Sequence, residues 1–154
     1  MKIKAKDLEK YAMLIEFGKV TNEMAQREYG RSSELMNQAV AIREKAFQSM
    51  DEGRKLSEKT DEIVESGKFE IRSIYEVMNR MAQREYERSS ELLDEAKKLR
   101  EKAFEFMEQG SQLAAKTDGI IEQANAIREK YEAAGMVYEF VETYEGYVQE
   151  LEDE

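Results

Sequence analysis

The chain has 154 residues, of which 38% are charged and 41% hydrophobic; its formal net charge is −10, and it contains no Cys, His, Trp or Pro. Without cysteine or histidine it has no disulfides, thiolate nucleophiles, zinc–thiolate sites or histidine general base, and its negative charge argues against nucleic acid as a ligand. Proline is most strongly excluded from helix interiors, and the abundant Ala, Glu, Lys, Leu and Arg are strong helix formers, so we expect an all-α chain.

The start of the chain does not resemble a secretory signal. Lys2, Lys4 and Lys6 imitate its basic segment, but Glu9 and Glu16 interrupt any apolar core. The uncharged apolar runs are far shorter than the roughly 20 residues that cross a bilayer. We therefore expect no membrane span and a cytoplasmic protein, with export by a route that needs no cleavable signal left open.

Residues 22–66 return as residues 79–123. At a constant offset of 57, 26 of the 45 aligned positions are identical, and Met24–Tyr29 recurs without change as Met81–Tyr86. The two copies therefore look like an internal duplication. Each copy must bury the same apolar face, and it does so most simply against the other copy.

Small residues occupy every seventh position of both copies, a pattern that we call the small-residue row. The position three residues later is mostly large and apolar, so these are the two core positions of a heptad seam. Small side chains allow helix axes to approach more closely than the usual 8 to 10 Å. This heptad resembles the close-packed antiparallel helix pairs called Alacoils, which are a packing type. The row comprises Ala25, Ser32, Ala39, Ala46, Gly53, Thr60 and Gly67, then Ala82, Ser89, Ala96, Ala103, Gly110, Thr117 and Ala124.

The best turn candidate is Ser66-Gly67-Lys68, since glycine commonly follows the end of a helix. A turn there sets Ala39 against Ala96, Gly53 against Ala82 and Ala25 against Gly110 in an antiparallel pair. A shift of a few residues, which packs small side chains against large ones, remains open. The predicted fold is a long antiparallel helical hairpin with a coiled-coil, Alacoil-like seam, in one elongated domain over residues 1–154 with its turn near 66–68.

A third, shorter helix is predicted over residues 136–152, after Ala133-Ala134-Gly135. If it folds back, it lies over the end of the second arm and the start of the first, which gives three helices locally. Aromatic residues concentrate in these segments and most simply fill a core there. They are Tyr11, Phe17, Tyr131, Tyr138, Phe140, Tyr144 and Tyr147.

A competing interpretation breaks the long arms into six or seven helices of about 20 residues. Ser32 and Ser89 are candidate N-caps, and Gly53 and Gly110 are candidate C-terminal stops. The heptad passes through Ser32 and Gly53 without a change of phase, which favours the unbroken hairpin.

Residues 24–35 match residues 81–92 at eleven of twelve positions, although several of them should face solvent. Recent duplication alone is one explanation. The other is a pair of equivalent contact surfaces, because Tyr and Arg are favoured interface anchors. We call these predicted surfaces the Arg-Tyr-Arg surfaces; they comprise Arg27, Tyr29 and Arg31 in the first copy and Arg84, Tyr86 and Arg88 in the second.

A second row of apolar side chains adjoins the seam and is too wide for a two-helix hairpin to cover. Such a surface usually marks an interface, and two hairpins joined as a four-helix bundle would bury it. We therefore predict a homo-oligomer, with a dimer favoured. The predicted oligomer interface, which we call the apolar stripe, comprises Met36, Phe47, Met50, Leu93, Phe104 and Met107.

Glu28 and Glu85 occupy heptad core positions, where a carboxylate is costly unless it is paired. They are either a polar break that fixes the register or a pair of buried carboxylates suited to metal binding or proton transfer. Helical-bundle di-iron proteins resemble this only in their inward Glu, since their Glu-x-x-His element is missing. We predict no catalytic, metal or cofactor site.

The sequence thus predicts a non-enzymatic structural or adaptor protein that self-associates and presents repeated surfaces to protein partners of unknown identity. Two alternatives stay open. One is a small helical secreted or phage-type component, or its chaperone; secretion substrates of the Trp-x-Gly hairpin kind are similar in outline, but this chain has no tryptophan at its turn. The other is a designed helical protein, although the glycines within the arms argue against idealised design.

Overall fold

The computed structural model describes residues 2–65 and 72–154, which form three helices. They are α1 (Ala5–Glu65), α2 (Arg72–Ala133) and α3 (Val137–Asp153), and α1 and α2 pack against each other. The part of the chain that the structure describes contains no strand. The predicted all-α fold, two long paired helices with a short third helix, is confirmed. The turn predicted near residues 66–68 lies outside the described residues.

Both long helices are continuous, so the alternative of six or seven short helices is wrong. α1 runs through Ser32 and Gly53, and α2 runs through Ser89 and Gly110. A glycine inside a helix costs about 1 kcal/mol relative to alanine. It is tolerated at these two positions because the missing side chain lets the neighbouring helix come close.

Contacts group the chain into two compact units. Unit 1 comprises Met1–Gly30 with Met107–Glu154, and unit 2 comprises Arg31–Phe106. Both long helices contribute to both units. The single domain over residues 1–154 stays a prediction.

Every described member of the small-residue row is buried, while the large residues three positions later are mostly half-buried. A Cβ atom added to Gly53 would lie 3.3 Å from the carbonyl oxygen of Ala82, in unit 2. In unit 1, a Cβ atom added to Gly110 would lie 3.3 Å from the carbonyl oxygen of Ala25. These are the pairs that the antiparallel register predicted, and the backbones meet at close range there.

The end of α2 is a Schellman motif. The N–H of Gly135 donates to the carbonyl of Glu132 at 2.9 Å, and the N–H of Met136 donates to the carbonyl of Tyr131 at 2.8 Å. Gly135 has a φ of 73°, a left-handed conformation that glycine adopts without strain. The chain then reverses into α3, which packs against α1 and α2 within unit 1.

The largest buried side chains lie where α3 joins α1 and α2. Leu8, Tyr131 and Phe140 form this core, and the rings of Tyr131 and Phe140 stack with centroids 4.8 Å apart. Tyr11 contacts both Phe140 and Tyr144 edge to face. The predicted fold-back of the third helix onto an aromatic core is therefore present in unit 1, although Tyr138 is 83% exposed.

Candidate interaction surfaces

The two tyrosines of the Arg-Tyr-Arg surfaces lie against glycines of the facing helix. The ring of Tyr86 is 3.1 Å from the position that a Cβ atom would take on Gly53, and the ring of Tyr29 is 3.0 Å from that position on Gly110. Both tyrosines therefore have a packing role within the chain, which the sequence reasoning missed. The available signal was that Tyr and Gly are retained together in both copies. Tyr29 is half-buried, whereas Tyr86 keeps 40% of its surface exposed.

The four arginines of these surfaces are all exposed: Arg27, Arg31, Arg84 and Arg88. The guanidinium carbon of Arg31 lies 5.8 Å from the ring centroid of Phe106, within the range of a cation–π contact. Solvent-facing cations beside a tyrosine can bind an acidic partner surface. That they do so stays a prediction.

The apolar stripe is exposed at equivalent positions of the two copies. Phe47 is 50% exposed and Phe104 is 55% exposed, and Met50 and Met107 are exposed as well. Met36 and Leu93 are half-buried. Because the same two large apolar side chains are exposed in each copy, packing within the chain does not cover them in either copy.

One groove in unit 2 joins the apolar stripe to an Arg-Tyr-Arg surface. It has a volume of about 300 Å³ and is lined by Phe47, Met50, Asp51, Arg54 and Tyr86. The structure thus brings together residues that the sequence assigned to two different surfaces. We call it the Tyr86 groove.

The rim of the Tyr86 groove carries an ion network. Arg54 donates to Asp51 at 2.7 Å and to Glu58 at 3.0 Å, and Lys55 lies 3.1 Å from Asp51. The hydrogen bond from Arg54 is the main cause that lowers the pKa of Asp51. Arg54 is replaced by Ser111 in the second copy. This network is therefore particular to the first copy, and exposed ion pairs of this kind add little stability.

A second groove in unit 2 lies around the pair Ala39 and Ala96. It has a volume of about 370 Å³. Four pairs of positions that are 57 residues apart line it, together with Asp94: Ala39 and Ala96, Met36 and Leu93, Val40 and Lys97, Arg43 and Arg100. We call it the Ala39 groove. Its lining is therefore nearly two-fold in sequence, with an arginine contributed by each long helix.

The seam is interrupted by polar groups at equivalent points of the two copies. Glu28 and Glu85 are half-buried, and each lies one helical turn before a buried serine, Ser32 or Ser89. Within the described residues, Ser32 Oγ, Ser89 Oγ and Glu85 Oε2 are buried and accept or donate no hydrogen bond. Nowhere in residues 2–65 and 72–154 do three or more Asp or Glu side chains converge as metal ligands would.

A hydrogen-bonded cluster at the start of α1 was not predicted. The hydroxyl of Tyr131 donates to Asp7 Oδ2 at 2.5 Å and accepts from the N–H of Lys4 at 2.9 Å, while Lys130 Nζ lies 2.9 Å from Asp7. The hydrogen bond from Tyr131 and then that from Lys130 lower the pKa of Asp7. Burial is the main cause that raises the pKa of Tyr131, and the hydrogen bond to Asp7 raises it further. One feature of the sequence could have revealed this cluster. Tyr131 lies seven positions after Ala124, where the small-residue row would continue with a small side chain.

A second polar contact crosses the helix pair in unit 1. The hydroxyl oxygens of Thr21 and Thr117 are 2.6 Å apart and both residues are buried. The Thr117 hydroxyl also lies 2.9 Å from the carbonyl of Leu113, and the Thr21 hydroxyl 3.1 Å from that of Gly18. One threonine therefore donates across the pair while the other donates to its own helix.

Comparisons with known proteins find no match, since no family model, curated protein or solved structure is significantly similar to the chain. Among the described helices, none has an apolar stretch long enough to cross a membrane.

Proposed function

We propose that this chain is a structural or adaptor protein, not an enzyme, that associates with a second copy of itself and presents the Arg-Tyr-Arg surfaces to protein partners. The observation that carries the proposal is the exposure of the apolar stripe, with Phe47 and Phe104 each at least half exposed. A group of large apolar side chains left exposed in this way usually marks an interaction site.

A second copy is the simplest partner for the stripe. Two paired helices bury only the residues that face each other, and the stripe lies beside that seam. Joining two helix pairs buries such residues in the manner of a four-helix bundle. Met50 and Met107 suit such an interface, because the flexible thioether side chain adapts to the surface that it meets.

Self-association is tested by sedimentation velocity or light scattering at micromolar concentration. The wild-type chain should have the mass of an oligomer, and we expect a dimer. Phe47→Asp combined with Phe104→Asp should dissociate it while the helical circular dichroism is kept, because neither side chain is buried within the chain. Met13→Asp is the matched control, since Met13 is 68% exposed but lies outside the stripe. A monomeric wild-type chain would refute self-association.

The adaptor role is tested separately, through the arginines. Two equivalent surfaces on one chain allow bivalent engagement, with an avidity well above the affinity of either site if the geometry permits. Replacing Arg27 and Arg31 with Glu should weaken capture of partners in part, and adding Arg84→Glu and Arg88→Glu should weaken it much further.

The control for these four changes is the variant with Lys45→Glu and Lys102→Glu, which reverses exposed charges at another equivalent pair of positions. If the quadruple arginine variant, still folded and oligomeric, recovers the same partners at the same level, recent duplication becomes the explanation for the retained arginines.

A further inference from the structure

We propose that the Ala39 groove binds the exposed acidic face of α3 from a second copy of this chain. The inference rests on the proposed self-association and names the segment that fills the centre of the interface. It is carried by the charge of the groove, the charge of α3 and the spacing of the charged residues on each.

The groove is positively charged although the chain is acidic. Arg43, Lys97 and Arg100 line it, against a single carboxylate from Asp94. The guanidinium of Arg43 lies 5.5 Å from the ring centroid of Phe47, so the groove is continuous with the apolar stripe. Of the described residues, none forms an ion pair with Lys97 or Arg100.

This charge argues against two Ala39 grooves facing each other. Packing the groove of one copy on that of another would set three cations against three cations, and like charges across an interface are strongly unfavourable. The occupant should instead be acidic and should carry some apolar surface, because Met36, Val40 and Leu93 also line the groove.

The chain itself supplies such a segment. α3 holds six acidic residues and no basic one. One face of α3 packs against α1 and α2 through Phe140. The opposite face is exposed, and its residues recur at the spacing of a single helix face. Five of the exposed residues lie along one strip of this face: Tyr138, Glu142, Glu145, Gln149 and Glu152. The structure therefore leaves an acidic strip, with Tyr138 at one end, free to meet another copy.

The spacing of charges on the two surfaces agrees. Glu145 and Glu152 are two helical turns apart, or about 10.5 Å at 1.5 Å per residue. In the pairing that sets Ala39 against Ala96, Arg100 is level with residue 35 of α1. Arg43 and Arg100 are then eight residues apart along the helix axis, or about 12 Å. One acidic helix can thus meet both arginines at once.

Charge reversal in the full-length chain tests the proposal. One variant carries Arg43→Glu and Arg100→Glu, and the other carries Glu145→Lys and Glu152→Lys. Each variant alone sets like charges against each other, so each should associate roughly 30-fold or more weakly than the wild-type chain. An equimolar mixture should recover association, because the acidic groove of one variant then meets the basic α3 of the other, and the reverse pairing is wild-type in charge.

The Lys45→Glu, Lys102→Glu variant is again the matched control and should associate as the wild-type chain does. Sedimentation velocity gives the association constants, and circular dichroism checks that every variant is folded. If the wild-type chain is an oligomer but either reversal leaves association unchanged, or the mixture fails to recover it, the inference is overturned while self-association stands. A monomeric wild-type chain removes both.

Discussion

The three-helix end in unit 1 and the two-helix seam in unit 2 bury different kinds of apolar side chain. Where α3 joins α1 and α2, large side chains such as Tyr131 and Phe140 are completely buried. Among the described residues of unit 2, the buried apolar side chains are all alanines, while Phe47 and Phe104 stay half exposed. The alanines are Ala39, Ala46, Ala82, Ala96 and Ala103.

The difference shows what a third helix contributes. Two helices in close contact bury the small side chains between them but leave the large ones beside the seam in water. A third helix covers those positions and permits an aromatic core. α3 therefore covers the large side chains at the three-helix end. We propose that a second copy covers those of the two-helix region in the same way.

The largest expected effect is at the three-helix end, through Phe140→Ala. Truncating a fully buried phenylalanine costs about 3 to 5 kcal/mol, because apolar contacts are lost and a cavity is left. Chemical denaturation of the variant should show a loss of this size. Glu150→Ala is the control on the same helix and should stay within about 0.5 kcal/mol of the wild-type value, because Glu150 is exposed and lies outside the acidic strip. Exposed positions away from specific contacts change stability little. Equal losses for the two would mean that α3 does not pack as described.

In the two-helix region the corresponding test is Gly53→Leu. A Cβ atom at Gly53 would already lie 3.1 Å from the ring of Tyr86 and 3.3 Å from a backbone oxygen, so the seam has no room for a larger side chain. We expect a loss of about 1 to 3 kcal/mol, as in an overpacked core, read from thermal unfolding.

Gly30 provides the matched control for Gly53. It lies in α1, and a Cβ atom added there would meet nothing within 4 Å. Gly30→Leu should therefore raise stability by several tenths of a kcal/mol, roughly the difference in helix propensity. A rise in melting temperature for Gly53→Leu would show that the helices do not touch at that point.

Asp7→Asn tests how much the polar contacts of Asp7 stabilise the three-helix end. It removes the charge that accepts from Tyr131 and Lys130, and a hydrogen bond to a charged group contributes about 1.5 to 3 kcal/mol. Because an asparagine oxygen still accepts from Tyr131, we expect a loss near the lower value at neutral pH. Asp118→Asn, an exposed aspartate of α2, should change stability very little.

The same variant predicts a pH dependence. The fold lowers the pKa of Asp7 from 3.8, first through the hydrogen bond from Tyr131 and then through that from Lys130. The stability that the carboxylate contributes is therefore fully present above pH 3.8 and is lost as the pH falls through its lower value in the fold. Unfolding curves of wild-type and variant chains should stay a constant distance apart above about pH 5 and converge under acid conditions. A constant gap into acid would show that Asp7 does not act through its charge.

The smallest effect is expected for Thr117→Val, which removes the hydrogen bond to Thr21 at nearly constant volume. The loss should be about 0.5 to 1 kcal/mol, because Thr21 can still donate to the carbonyl of Gly18 and no donor is left buried without a partner. Thr143→Val, an exposed threonine that donates only to the carbonyl of Glu139, is the control. A larger loss for Thr143→Val than for Thr117→Val would mean that the contact between the threonines adds nothing.

Periodicity predicted the fold well because the seam depends on volume at fixed intervals. The small-residue row located most of the buried positions of both long helices, and the Gly135 signal placed the start of α3 within one residue. The same pattern set Gly53 opposite Ala82, because a turn near residues 66–68 leaves few registers in which small residues meet.

Contacts between residues that are distant in sequence were not predictable in this way. The hydrogen bond from Tyr131 to Asp7 joins residues 124 positions apart and follows no heptad. Tyr29 and Tyr86 looked like free surface residues, since a helical period says which way a side chain leaves its own helix and not how far it bends over the next one. The Ala39 groove depended on which cations from the two helices lie side by side, which requires the register to be known first.

The tyrosines that lie over Gly53 and Gly110 give the chain two internal spectroscopic reporters. The magnetic field of each ring should displace the α-proton resonances of the glycine beside it from those of an ordinary helical glycine. The chain has only eight glycines, whose amide signals fall in a sparsely populated part of a nitrogen–proton correlation spectrum. Gly53 would report on unit 2 and Gly110 on unit 1, so loosening of one helix pair could be followed in solution independently of the other.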